Sequence, residues 1–318
     1  MEGEKGRIVQ LDFAKVIAFI WIVLCWHLVN YLPYDYAIKS IVYNDYGHCI
    51  TRTMLSLFVF LSGLFLSKYT FSLKTDVYEF YKKRLTRFYI LYIVACISIY
   101  FSGDFIPSLK QLALTMLGLS GIVSPAVGTM WFMSMMIFFY VITPVLYDVS
   151  KKLRLYRSAM VLCILFIIHI MGFFDERYIL YFPCYVVGIC LGNSIIRMIE
   201  SLKVYGIVIS IIWVMLILLK WEHLSVIFGV TTIIYLTSVC IRIIKIEAMT
   251  QAIKIGSYVI LCGYLFHRQI IYIFHRQMHL ALYWMPLFIL VLSYGIQRSY
   301  DLLFLKIQTV CLLNSKHE

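Results

Sequence analysis

The stretch Leu11-Asp12-Phe13-Ala14-Lys15-Val16-Ile17-Ala18-Phe19-Ile20-Trp21-Ile22-Val23-Leu24-Cys25-Trp26-His27 decides how the chain reads. An acid and a base three residues apart open it, and eleven uncharged residues follow before the histidine, with Asn30 just beyond. Its length suits a helix that crosses a bilayer. A histidine inside such a helix is costly, so it marks a functional site or a polar partner. At the helical rise, His27 lies roughly 22 Å beyond Asp12, past the middle of the membrane.

The rest of the chain has the same character. Of its 318 residues, 62% are hydrophobic, and the mean hydropathy is +0.88. That composition excludes a soluble domain. The start, Met1-Glu2-Gly3-Glu4-Lys5, carries acids and no cleavage pattern, so no removable leader is expected. The net charge of +12 sits between apolar runs, where membrane orientation explains it without nucleic acid. Nine cysteines form no C-x-x-C and mostly lie inside apolar runs, so they read as small hydrophobes, with no metal site expected.

The pattern predicts an all-α polytopic bundle of about ten membrane helices in a single domain, 1–318, with short tails at about 1–11 and 306–318. The spans run from Phe13 to Tyr31, Thr51 to Leu66, Arg87 to Ser102, Met130 to Tyr147, Ala159 to Phe174, Ile179 to Ile196, Val204 to Leu219, Ser225 to Ile241, Ser257 to Phe274 and Leu282 to Phe304. Between the third and fourth, Pro107 to Thr129 is semi-polar and reads as a loop, an amphipathic piece or a re-entrant segment. With ten spans and the N-terminus inside, the inner segments hold 21 of the 28 Lys and Arg residues. That bias puts both termini in the cytoplasm.

Three groups have chemistry to offer. His27 is either a buried histidine bonded to a neighbouring helix or a general base, and the residues alone leave both open. Lys82-Lys83-Arg84-Leu85-Thr86-Arg87 is either an anchor to lipid phosphates or a phosphate site, since Arg84 and Arg87 share one helix face as a fork of guanidiniums. Gly263-Tyr264-Leu265-Phe266-His267-Arg268 places His267 near mid-membrane, where it can share a cavity with His27 or form a structural pair with it. His169 reads as a satisfied core histidine, and His275 and His279 as loop residues. Asp12 suits an N-cap or dipole partner of the first helix, and Ser62-Gly63 suits close helix packing.

Together these pieces resemble the acyltransferase 3 family, bacterial membrane O-acyltransferases that act mainly on cell-surface sugars. The matching residues are Leu11-Asp12-x-x-Lys15-x-Ile17-Ala18 leading to His27; Leu57-Phe58-Val59-Phe60-Leu61-Ser62-Gly63; Arg84-x-x-Arg87; Met130-Trp131-Phe132 with Tyr140 and Pro144; and Tyr264-Leu265-x-His267. The resemblance implies a ten-helix enzyme of the bacterial inner membrane that takes an acyl group, usually acetyl, from cytosolic acyl-CoA. The acceptor would be a hydroxyl of a surface polysaccharide or its lipid-linked precursor. By motif position His27 is the catalytic histidine, and Arg84, Arg87, Lys83 and Lys15 serve the acetyl-CoA site. His267, Tyr264, Asn30 and Trp131 line the substrate cavity. No appended esterase-like domain is expected, and no nucleic-acid partner. The alternative is a transporter of a surface glycan or small acid, with His27 and His267 along its path.

One departure gives a structural expectation. In most members of the family the first-span base and histidine are eleven residues apart; here Lys15 and His27 are twelve apart. On an α-helix eleven residues bring two side chains to about 20° of each other, and twelve to about 120°. A π-type turn absorbs one residue, so the first span is predicted to carry one between Lys15 and His27.

Overall fold

A computed structural model describes residues 9–314, except 33–36, 68, 70, 72–73, 104–106, 123–126, 148–150, 174, 202 and 245–246. It also leaves out the side chains of 74, 87, 151, 192–201, 203–204, 244, 247–249 and 307–314. The helices are α1 (Val9–Phe19), which continues as a π-helix over Ile20–His27; α2 (Ala37–Val42); α3 (Asp45–Leu66); α4 (Lys74–Tyr81); a π segment Lys82–Thr86 leading into α5 (Arg87–Ser102); and α6 (Leu109–Met116). There follow α7 (Met130–Leu146), α8 (Lys151–Ile170), α9 (Glu176–Ser201), α10 (Lys203–Leu218), α11 (Glu222–Ile244), α12 (Glu247–Ile271) with a third π segment over Tyr272–Gln277, and α13 (Met285–Asn314).

Among the described residues, seven helical stretches are long and apolar enough to cross a membrane, and Met130–Leu146 and Tyr205–Leu218 are shorter apolar helices. Large apolar side chains such as Phe101, Ile170 and Ile243 stand exposed around the bundle. A surface of that kind calls for lipid around it. Of the seven stretches, Asp45–Leu66 is the most enclosed and Lys152–Ile170 the least.

The centre is the pair α3 and α9, the most extensive helix–helix contact in the fold. Two glycines allow it. A Cβ on Gly63 would stand 2.3 Å from the Tyr185 carbonyl oxygen, and one on Gly188 2.3 Å from the Phe60 carbonyl oxygen. Backbones this close exclude any side chain at either position, which is how small residues bring membrane helices together. The contacts also fix direction. Arg52 pairs with Glu176 near the starts of both helices, and Phe60 meets Gly188 towards their ends, so α3 and α9 run parallel. By the same reasoning α1 and α12 run parallel, because Asp12 meets Ser257 and Phe19 meets Gly263.

Two sequence expectations change. The second span begins at Asp45, not Thr51, because the Asn44 side chain accepts from the Gly47 N–H at 2.8 Å and caps the helix. The Pro107–Thr129 segment contains α6, opened by a Ser108–Gln111 capping box. It then turns at Gly118, Gly121 and Gly128, all at positive φ. Two of its polar groups are met inside the protein: the Tyr92 hydroxyl donates to the Thr115 carbonyl, and the Ser120 and Ser134 hydroxyls lie 2.6 Å apart.

Candidate active site

The first span carries the expected distortion. The eight residues Ile20–His27 are π-helical, and the Leu28 N–H reaches back five residues to the Val23 carbonyl. The distortion is anchored from outside the helix. Trp21 Nε1 donates to Thr51 Oγ1 at 2.8 Å. Trp26 stacks on Tyr43 with centroids 4.3 Å apart, and the Tyr43 hydroxyl donates to the Trp26 carbonyl at 2.5 Å. Neighbouring helices therefore hold the irregular backbone that an isolated helix would repair.

Lys15 lies at one end of a cavity of about 500 Å³, alongside Lys83 and Arg84. Each cation has its own support. Lys15 Nζ is 3.0 Å from Asp12 Oδ1 and 4.8 Å from the Phe65 ring centroid. The Arg84 guanidinium stands over Tyr69 at 5.4 Å. Asp12 is buried and also accepts from Ser257 Oγ at 2.8 Å. It lies inside the first turn of α1, so its part is to tie Lys15 to α12 and not to cap the helix. Arg84 falls within the second π segment. The Arg87 side chain lies outside the described residues.

The remaining wall is apolar and aromatic, from Phe58, Phe88, Phe132, Met133 and Met136, with Ser62, Tyr140 and Tyr258 supplying hydroxyls. The cavity also reaches Tyr264, one turn of α12 before His267. The His27 and His267 rings then face each other with centroids 4.7 Å apart. His267 is fully buried. Its Nδ1 lies 2.8 Å from the Tyr264 carbonyl oxygen. A carbonyl can only accept, so Nδ1 carries the proton and a neutral ring keeps its lone pair on Nε2. Among the described residues that Nε2 has no hydrogen-bond partner, and a buried lone pair without a partner is costly.

Beyond the histidines, on the face opposite Arg84, lies a second cavity of about 400 Å³, lined by Asn30, Tyr31, Arg268, Tyr272 and Arg276. Asn30 follows His27 by three positions, and Arg268 follows His267 directly. Lys39 is buried and donates to the Asn30 and Leu32 carbonyl oxygens at 3.2 and 2.9 Å. A cation at the end of a helix suits its dipole and fixes where α1 exits.

The structure thus gathers Lys15, Lys83, Arg84 and Tyr264 around one cavity, sets His267 and His27 one after the other beyond Tyr264, and puts Asn30 in the second. Trp131 is placed elsewhere: Arg177 lies over its ring at 4.2 Å, Tyr181 stacks on it at 6.0 Å, and the cavity wall is formed by its neighbours Phe132 and Met133. His275 sits in the third π segment and not in a loop; its Nδ1 bonds the Leu280 carbonyl at 2.8 Å. Sequence reasoning missed the second cavity, whose residues come from two helix ends brought together only by the fold. It also missed Ser62 as a wall residue, although its neighbour Gly63 packs as expected.

Compared with known proteins, the family model described as an acyltransferase domain, that of the acyltransferase 3 family, matches residues 8–296. No curated protein and no solved structure matches the chain.

Proposed function

The chain belongs to the acyltransferase 3 family and is a multi-pass membrane acyltransferase, and from that premise we propose that it moves an acetyl group from cytosolic acetyl-CoA to a hydroxyl of a cell-surface glycan or its lipid-linked precursor. The observation that carries this reading is one continuous arrangement. A cavity with Lys15, Lys83 and Arg84 at one end reaches Tyr264, and His267 and His27 meet just beyond it.

The membrane orders the two substrates. A nucleotide bearing phosphates cannot enter it cheaply, so the donor keeps that end at Arg84, Lys83 and Lys15, where guanidinium and ammonium groups take phosphate. Its uncharged pantetheine arm suits the apolar walls of the cavity and carries the thioester inward. Arg87, one turn on, is expected to join the phosphate site. The acceptor approaches from the opposite face, beside Asn30.

At the histidines, His27 takes the proton of the acceptor hydroxyl as its oxygen attacks the thioester carbonyl carbon. The C–O bond forms, the carbon becomes tetrahedral, and the C–S bond then breaks. The departing thiolate receives the proton from His27, so acceptor and donor leave as ester and free thiol. His267 has its tautomer set by the Tyr264 carbonyl and presents a second basic nitrogen beside His27. Its role is to orient the His27 ring and stabilise the proton there.

The parallel course of α1 with α12, and of α3 with α9, agrees with ten crossings in which spans of the same parity share a direction. With the basic bias of the sequence, it supports cytoplasmic termini and an inner-membrane location. The experiment is direct. Inverted membrane vesicles supplied with labelled acetyl-CoA should transfer label to the glycan fraction, and Arg84→Gln should raise the KM for the donor about tenfold with little change in kcat. Label transfer that is indifferent to Arg84→Gln would remove the inner cavity from the donor site.

A further inference from the structure

One amide stands in the largely apolar wall of the inner cavity. Gln297 of α13 is buried and lines that cavity beside Tyr258, Leu261 and Tyr264 of α12. Its side chain is held at both ends. Nε2 donates to Asp301 Oδ1 at 3.2 Å, one turn further along α13, and Oε1 accepts from Cys262 Sγ at 3.1 Å. Asp301 is fixed in turn across the helix pair, because the Tyr258 hydroxyl donates to its Oδ2 at 2.6 Å. These bonds set which way the amide points. A carboxylate only accepts, so it faces the NH₂ group, and the amide oxygen is left to the thiol. They use one of the two N–H groups of Gln297 and one lone pair of its oxygen, which leaves one of each.

Resting on the donor reading above, we infer that Gln297 is a donor-binding residue, whose remaining N–H and oxygen lone pair hydrogen-bond the secondary amides of the pantetheine arm. Those amides are the arm's difficulty in an apolar cavity. Drawn from water without partners they oppose binding, and a fixed amide in the wall answers both their N–H and their C=O groups. The depth fits as well. Cys262, to which Gln297 is bonded, precedes His267 by five residues, roughly 7 Å along a helix axis. Two methylene groups separate the thioester sulfur of the donor from its nearest amide, so a thioester delivered to the histidines leaves that amide at the level of Gln297. Recognition of the donor is thereby divided: Lys15, Lys83 and Arg84 take the phosphates at one end, and Gln297 takes the arm within. Tyr258 and Asp301 act through Gln297, as positioning residues that keep its amide from turning.

The test is calorimetric binding of two probes to the purified full-length chain in nanodiscs, with no acceptor present. One probe is acetyl-CoA. The other is adenosine 3′-phosphate 5′-diphosphate, the nucleotide of the donor without its arm. Gln297→Leu should weaken acetyl-CoA about tenfold and leave the nucleotide at its parent affinity, whereas Arg84→Gln should weaken both. Tyr258→Phe keeps the ring but frees Asp301, and should reproduce the Gln297→Leu pattern at smaller size. Gln297→Met, which keeps the length of the side chain without its amide, serves as the second variant if the leucine form folds poorly. The ratio of the two affinities is the readout, so a lower yield of folded protein does not imitate the effect. Unchanged acetyl-CoA affinity in folded Gln297→Leu or Gln297→Met protein, or an equal loss for both probes, would overturn the inference. No binding of acetyl-CoA to the parent would overturn it together with the donor reading. Nucleotide binding indifferent to Arg84→Gln, with the Gln297 effect intact, would support the inference and count against the phosphate site alone.

Discussion

The α3–α9 pair and the three π-distorted helices answer different demands on one bundle. α3 is regular from Asp45 to Leu66 and meets α9 through Gly63 and Gly188, with no space between backbones. The distorted segments Ile20–His27, Lys82–Thr86 and Tyr272–Gln277 instead carry His27, Lys83, Arg84 and Arg276, while Lys15 and His267 stand on the regular helix just before a distorted stretch. The difference shows where irregular backbone is tolerated. It sits where side chains must be aimed, and it is held by contacts such as Trp21 with Thr51.

The comparison can be broken most violently at its regular half. Deleting one residue of α3, such as Val59, would turn every later side chain by about 100°. Gly63 would then lose its register against Tyr185, and we expect no folded protein by size-exclusion chromatography. Gly188→Leu should act in the same direction with a smaller effect, about 3 kcal/mol by overpacking, read as a lower thermal midpoint with activity falling in proportion to folded protein.

The same deletion in the distorted half should do far less. Removing Leu24 brings Lys15 and His27 to eleven positions apart, the spacing at which a regular α-helix already brings them to one side. Folded protein should persist, and acetyl transfer should remain within about tenfold of the parent. Its abolition in a well-folded deletion mutant would show that the π backbone is needed for itself and not for register. Smaller again is Asp12→Asn, which removes one charge partner of Lys15 and weakens the hydrogen bond from Ser257. Its expected cost is about 1–2 kcal/mol, seen as a modest loss of donor affinity with kcat kept.

Part of this was legible in the residues. That the chain is all-helical and crosses the membrane several times follows from hydropathy, and the π turn in the first span follows from a Lys15–His27 spacing one residue longer than that of most family members. The meeting of His27 with His267 was legible as a shared depth in the membrane. Other features were not. Trp131 lies on a helix apolar on all sides, where no polar face reveals which way a side chain points, and its ring turned towards Arg177. Ser62 next to Gly63 reads as packing because small residues serve packing in most membrane helices; only the tertiary arrangement exposes its hydroxyl to the cavity. The second cavity depends on a π segment that brings Arg276 towards the exit of α1, and no local pattern announces that segment.

The central claim is that His27 takes the acceptor's proton. Acetyl transfer to the glycan fraction should be measured in membranes carrying the parent chain or His27→Ala, at equal amounts of folded protein and with labelled acetyl-CoA binding measured on the same samples. The account predicts that His27→Ala loses about 10²-fold or more of the transfer rate while donor binding and thermal midpoint stay at parent values. Transfer at the parent rate by folded His27→Ala protein would contradict it.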